Sequence, residues 1–323
     1  MAVIGSSAAG KSLPNISFFG SQTWAPAYDM QAYVYVIGGG GSGAVAGNSA
    51  NARSSGGGAG GCAISFLTLL SSVTYTITIG AGGQKKTSTG AYAGNNGNNS
   101  SFAGSNISTM TGNAGSAGAT SDSSTAAGGA GGSASGGNIC NNTGGAGGDV
   151  PSTNQAVSGG GAVGLWTTGN QANAGSATAN CVARGGNIGW DKETLQSGGY
   201  FEEYYALLGG QSGVPSIAPF NELIANKVQN VYWASSSTPY FYANFNSPSG
   251  STSGAQWYTS SGSYWVQGAS PLCGGDGFRS TGVTQAAGGG CLGSGGGAGS
   301  STSTTISGAG GNGGILIFPV DMG

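Results

Sequence analysis

The sequence has no histidine, and its charged residues are few: Lys and Arg total 8 and Asp and Glu total 10 in 323 residues. Without histidine the commonest general base, the commonest zinc ligand and the usual activator of a Ser or Cys nucleophile are missing. The chain is therefore not expected to be an enzyme, nor to hold a metal or a cofactor. A formal charge of -2 leaves no cationic surface to neutralise a phosphate backbone, so no nucleic acid is expected as a partner. Long apolar runs are absent too. No segment approaches the roughly 18 apolar residues of a membrane span, and no basic region followed by an apolar run opens the chain, so neither membrane insertion nor secretion is expected. Proline is scarce, with 9 residues against 70 glycines. Collagen, which needs abundant proline and an unbroken glycine register, is excluded. The cysteines Cys62, Cys140, Cys181, Cys273 and Cys291 show no CxxC spacing, and pairing would leave one over. They are expected to be small buried thiols.

What is abundant is glycine, and it is not spread evenly. Four stretches read as strands: "AYVYVI" (residues 32–37), "CAISFLTL" (62–69), "VTYTITI" (73–79) and "GILIFPV" (314–320). The third alternates Val73, Tyr75, Ile77 and Ile79 with threonines, the period of a half-buried strand. Pro319 implies that the last strand ends there or runs along an edge. Between them lie "GGGAGG" (56–61), "GNAGSAG" (112–118), "GGAGG" (128–132 and 144–148), "GGGAVG" (159–164) and "GSGGGAGS" (293–300), with glycine in pairs or at every third position. A spacing of three matches the polyproline II helix, whose backbone groups point outward for neighbours to use. Missing Cβ atoms would let such helices lie side by side, bonded main chain to main chain. The fold expected is all-β: a small antiparallel, jelly-roll-like β-sandwich beside a bundle of polyglycine II helices.

A third texture runs over residues 190–265, which hold 16 of the 29 aromatic residues but 8 of the 70 glycines, enough side chain for a conventional core. Here "YFEEYYALLGG" predicts a short helix over residues 200–208 stopped by Gly209, and "PFNELIANKV" a second helical stretch from Pro219. The organisation expected is an N-terminal arm or docking segment (1–30), a glycine-rich region (31–189), an aromatic-rich insertion (190–267) and a glycine-rich return with a closing strand (268–323). Within the insertion, aromatics interleaved with Ser, Thr and Asn suit saccharide or protein-surface recognition, since flat rings stack on apolar faces while hydroxyls and amides meet polar edges. Trp233, Tyr240, Tyr242, Trp257, Tyr258, Tyr264 and Trp265 are the candidates. The alternative is that these rings fill the insertion's own core or a subunit interface.

Two nucleotide motifs occur by letter. "GSSAAGKS", with Gly5, Gly10, Lys11 and Ser12, spells a P-loop, but only three residues separate Met1 from Gly5 and Pro14 follows closely, so strand and helix are both missing. Gly38, Gly40 and Gly43 spell GxGxxG after a good strand. No long helix follows, and no acid lies between Asp29 and Asp122 to hold a ribose. Five of the ten acids, Asp191, Glu193, Glu202, Glu203 and Glu222, lie in or near the aromatic segment, where a glycosidase pair is conceivable, but Glu202 and Glu203 fit the solvated face of a short helix.

Taken together, "YVYVIGGGGSG", "GGGAGGCAISFLTL", "TYTITIGAGG" and the terminal "GAGGNGGILIF" resemble the glycine-rich domain of bacteriophage tail-fibre and related virion proteins. The architecture is also similar to the glycine-rich region of anaplastic lymphoma kinase-type receptors. The resemblance covers residues 31–189 and 268–323 and leaves the aromatic insertion unexplained. It implies a virion structural protein assembled in a host cytoplasm, a tail-fibre or tail-tip component contributing to host attachment. The implied partners are other virion proteins, further copies of itself in an oligomer such as a trimer, and a host surface glycan or outer-membrane protein. Alternatives are a purely structural head-decoration or fibre-joining subunit and, further off, a virion-associated glycan hydrolase.

Overall fold

A computed structural model describes residues 15–47, 53–122, 124–150, 157–165, 168–169, 171–172, 182–183, 228–233, 241–246, 252–254, 274–275, 277–280, 285–290, 292–301 and 304–320. Among these residues there is no helix, and the regular elements are strands. The stretches expected to be helical, residues 200–208 and the segment from Pro219, lie outside the described residues, as does the P-loop-like "GSSAAGKS".

Two antiparallel five-stranded sheets form a sandwich. Sheet I runs in the order Ile16–Phe18, Gly314–Val320, Met30–Ile37, Cys62–Leu69, Cys140–Asn142. Sheet II runs Ala134–Ser135, Met110–Gly112, Ser100–Ala103, Tyr75–Thr78, Gln22–Trp24. Period-two alternation decides which side chains meet. Ala32, Val34 and Val36, with Ile315, Ile317, Ala63 and Leu69, turn toward Tyr75, Ile77, Phe102 and Met110 of sheet II and form the larger core. On the opposite face of sheet I, Tyr35, Ile37, Cys62, Ile64, Leu316 and Phe318 are covered by Val163, Leu165 and Leu292. Apart from the end at Tyr33, Phe66 and Thr68, sheet I is thus buried on both faces, which is why its strands read as near-continuous apolar runs.

The stretch before Gln31 has no clean periodicity, yet from Ile16 onward it is built into the sandwich. Ile16–Phe18 pairs with residues 315–317 of sheet I and Gln22–Trp24 with residues 75–77 of sheet II, so this part ties the two sheets together and is not a separate arm. Pro319 lies one residue before the end of Gly314–Val320 and pairs with Ala32; among the described residues Ile16–Phe18 reaches Ile317 and no further, so the missing N–H of Pro319 breaks no described ladder bond.

Where Met30–Ile37 joins sheet II's side of the molecule, Asp29 holds the neighbouring turn: its Oδ1 accepts from the Ser71 N–H (2.7 Å) and the Ser71 hydroxyl (2.8 Å). These bonds, the backbone one foremost, keep the Asp29 carboxyl below its ordinary range. A carboxylate favoured by folding stabilises above the ordinary aspartate range and loses that contribution as pH falls through the lowered folded value. Asp29→Asn is therefore expected to flatten this part of the acid limb of a stability-against-pH curve, measured by urea unfolding at several pH values.

The strands hand over to glycine segments without a turn. After the pair Ile37↔Cys62, the next rung is Gly38 N–H to the Gly61 carbonyl at 3.0 Å. Beyond it the donors separate into three directions. Gly38, Gly41 and Ala44 donate to Gly61, Gly58 and Ser55; Gly39 and Ser42 to Asn98 and Asn95; Gly40 and Gly43 to Gly311 and Gly308, all at 2.8–3.1 Å. The carbonyls of this segment serve three further neighbours: Gly39 and Ser42 accept from Gly115 and Gly118, Gly40 from Gly83, and Gly41 from Gly296. Six segments therefore surround residues 38–44, and those met more than once are met at every third residue. Residues 55–61 repeat the pattern: Ser55, Gly58 and Gly61 donate to Ala119, Ser116 and Asn113, and Gly57 and Gly60 to Gly296 and Gly293. This lattice leaves no room for side chains on its inner lines. A methyl on Gly41 would overlap the Ser116 carbonyl oxygen, and one on Gly57 that of Gly41.

The lattice's rim is finished with side chains. Asn99 and Asn96 Oδ1 accept the Ala114 and Ala117 N–H groups, three residues apart, each at 2.8 Å, in place of a further segment. Asp149 Oδ1 does the same for Gly128 and Asn312 Oδ1 for Gly82, both at 2.9 Å. Ala127 and Ala130, again three apart, are exposed, with methyls on the outer line. Methyls there stand where glycine would allow a closer approach.

Of the cysteines described, Cys62 is buried, Cys140 is half-buried, and neither is in a disulfide. Burial pushes the Cys62 thiol well above its ordinary range, so it stays protonated and inert. Cys181, Cys273 and Cys291 lie outside the described residues.

Candidate functional site

The GxGxxG glycines are not a phosphate cradle. Such a site needs backbone N–H groups free to point at the ligand, whereas every N–H from Gly38 to Ala44 already donates to a carbonyl of the lattice.

A concave site lies instead at the rim of sheet I. Cys140–Asn142 pairs with residues 62–64, and among the described residues no strand pairs with the outer edge of Cys62–Leu69 from Ser65 onward. The resulting groove, about 580 Å³, is lined by residues 65–68 and 70 of that edge, by residues 106–108 of the loop leaving Ser100–Ala103, and by the turn at residues 136–138. Gly136 takes φ +79°, a left-handed conformation that glycine adopts without strain, and this reverses the chain so that Asn138 reaches back to the edge. There the Asn138 side chain stands in for a missing strand. Its Oδ1 accepts from the Phe66 N–H and its Nδ2 donates to the Phe66 carbonyl, both at 2.9 Å, while its own N–H donates to Ser65 Oγ at 3.0 Å.

Asn106 closes the next outward position. Its Nδ2 donates to the Thr68 carbonyl (3.1 Å), and its Oδ1 accepts from the Tyr75 hydroxyl (3.0 Å), which also accepts from the Leu70 N–H (2.9 Å). The ladder's alternation turns Thr68 outward like Ile64 and Phe66, so the Thr68 N–H is the edge donor left to the groove. Tyr75, stacked on Phe102 at 5.1 Å in the sandwich core, is thus the link between core and groove. Tyr75→Phe keeps the ring but leaves the Leu70 N–H without its acceptor and frees Asn106. The expected cost is about 1–3 kcal/mol, read as a lowered urea midpoint at unchanged m-value.

Two of the seven aromatic candidates, Trp233 and Tyr242, lie among the described residues. Trp233 ends Val228–Trp233 and Tyr242 lies in Phe241–Asn246, adjacent strands of a three-stranded antiparallel sheet completed by Thr252–Gly254. The register sets Trp233 opposite Phe241 and Tyr242 opposite Tyr232, with an irregularity between Gln229 and Tyr232. Trp233 and Tyr242 therefore occupy successive rungs rather than one. Tyr240, Trp257, Tyr258, Tyr264 and Trp265 lie outside the described residues. The groove's own residues had no signal in the sequence, because Thr68, Asn106 and Asn138 come from three separated loops and strands.

In class the chain is an all-β protein, a two-sheet sandwich continued by hydrogen-bonded glycine segments. A family model described as a glycine-rich domain matches residues 16–318, and the chain belongs to that family. No curated protein matches it.

Proposed function

We propose that the chain is a bacteriophage virion structural protein, a tail-fibre or tail-tip component whose glycine segments are polyglycine II helices forming a rigid support. The observation that carries this reading is the three-residue period of the lattice: consecutive N–H groups of residues 38–44 serve three neighbours in rotation, as three residues per turn requires. Dense main-chain bonding with so little charge suits a part that must hold its shape and pack against copies of itself. In this reading it assembles in the host cytoplasm with other virion proteins as a homo-oligomer. The aromatic-rich insertion, residues 190–267, is presented for contact with a host glycan or outer-membrane protein, a division of labour between rigid scaffold and variable segment.

Deleting residues 190–265 and measuring adsorption of the particles to host cells tests the recognition role, which predicts a loss of adsorption with particles still assembled. Unchanged adsorption would remove that role. A particle reconstruction tests the tail assignment, and density on the capsid surface would replace it with head decoration.

A further inference from the structure

We propose that the groove along residues 65–70 is a binding site for a short neutral saccharide. The inference goes beyond the virion reading and does not rest on it, since it concerns a different part of the chain from the aromatic insertion.

Three observations point to this ligand class. The first is charge: among the described residues no lining residue carries one, so an acidic sugar, a phosphate or a basic peptide would leave its charge unmatched there. The second is the state of the strand edge. A peptide adding as a further strand needs alternate residues offering both N–H and C=O, but Asn138 occupies both groups of Phe66 and Asn106 occupies the Thr68 carbonyl. The edge is closed to a strand and open to isolated hydroxyls. The third is the kind and rigidity of the polar groups. Asn138 and Asn106 are each held by at least two hydrogen bonds, and each amide keeps a further N–H and lone pair for a ligand. They stand beside the exposed Thr68 and Ser108 and the partly buried apolar side chains of Leu67 and Ile107. Pre-oriented amides for vicinal hydroxyls, next to an apolar surface for a sugar's C–H face, are what a pyranose requires. The volume of about 580 Å³ lies within the range of roughly 300–1,000 Å³ that small ligands fill.

The test is titration of the full chain with a panel of short neutral oligosaccharides of hexose and N-acetylhexosamine, with sialylated and uronic-acid glycans alongside, followed by calorimetry and by amide chemical shifts. Expected are saturable binding of at least one neutral glycan and shifts of the Asn106 and Asn138 side-chain amides and the Thr68 N–H. Ser108→Trp, which fills the groove from an exposed position, is expected to weaken binding at least about tenfold with far-UV circular dichroism unchanged. Thr68→Arg is a second block with the same expectation should Ser108→Trp fail to fold, and Ala130→Val, at an exposed position of the glycine lattice, is expected to leave affinity unaltered. The proposal is overturned if no neutral glycan binds, if both groove variants bind as the parent does, if acidic glycans bind more tightly, or if an extended peptide rather than a sugar produces these shifts.

Discussion

Replacing Gly57 by alanine is expected to destabilise the chain by at least about 3 kcal/mol, the upper end of what overpacking costs, and replacing it by valine to prevent folding. The new Cβ would overlap the Gly41 carbonyl oxygen and press on that of Ser42. Neither atom can move alone. Gly41 and Ser42 donate to Gly58 and Asn95, and Gly57 itself donates to Gly296 and accepts from Gly161, so parting the segments breaks several bonds worth about 1 kcal/mol each. Ala130→Val is the matched control. Its position is exposed on the lattice's outer line, and a change within about 0.5 kcal/mol is expected there. Urea unfolding of the three variants separates the cases; a Gly57→Ala chain as stable as its parent would refute a lattice held by backbone contact.

Phe102→Ala, in the sandwich, is expected to cost about 3–5 kcal/mol, the range for emptying an aromatic site in a packed core. Phe102 is fully buried, stacks on Tyr75, and belongs to the cluster that joins Val34, Val36 and Ile317 of sheet I to Ile77 and Met110 of sheet II. Because Tyr75 orients Asn106, the same change loosens the groove, and Phe102→Leu is expected to recover most of the stability. Denaturant midpoints at constant slope check the first statement. The line width of the Asn106 side-chain amide resonances checks the second.

The long strands were legible because they bury many apolar side chains in a regular order. Residues 62–69 and 314–320 are strands with the bounds read from the sequence, residues 32–37 gain two residues at the start, and residues 73–79 shorten to Tyr75–Thr78. Ser100–Ala103 and Met110–Gly112 were not legible. Each offers one large apolar side chain, Phe102 or Met110, among small residues, too few for any period to appear, and only their place opposite sheet I makes them strands. Ile16–Phe18 and Gln22–Trp24 were missed because three residues are too few for a period to appear. The groove was invisible because it depends on which loops end beside an uncovered edge, and a strand's own letters do not record how far its neighbour extends.

By itself the sequence determined the chemistry available: an all-β chain without histidine, with little charge, and with glycine at the spacing that lets main chains touch. It also marked the handover at "YVYVIGGGGSG", since an apolar alternation that stops at a glycine run can bury side chains on one side only of the junction. Tertiary structure alone decided which segments became neighbours. A glycine segment carries no side chain to distinguish one partner from another, so the six neighbours of residues 38–44 are chosen by the strands that anchor each segment's end in the sandwich. The site follows from the same cause, for the strand Cys140–Asn142 pairs with the first three residues of Cys62–Leu69, and the fold brings Asn106 and Asn138 to the edge beyond them.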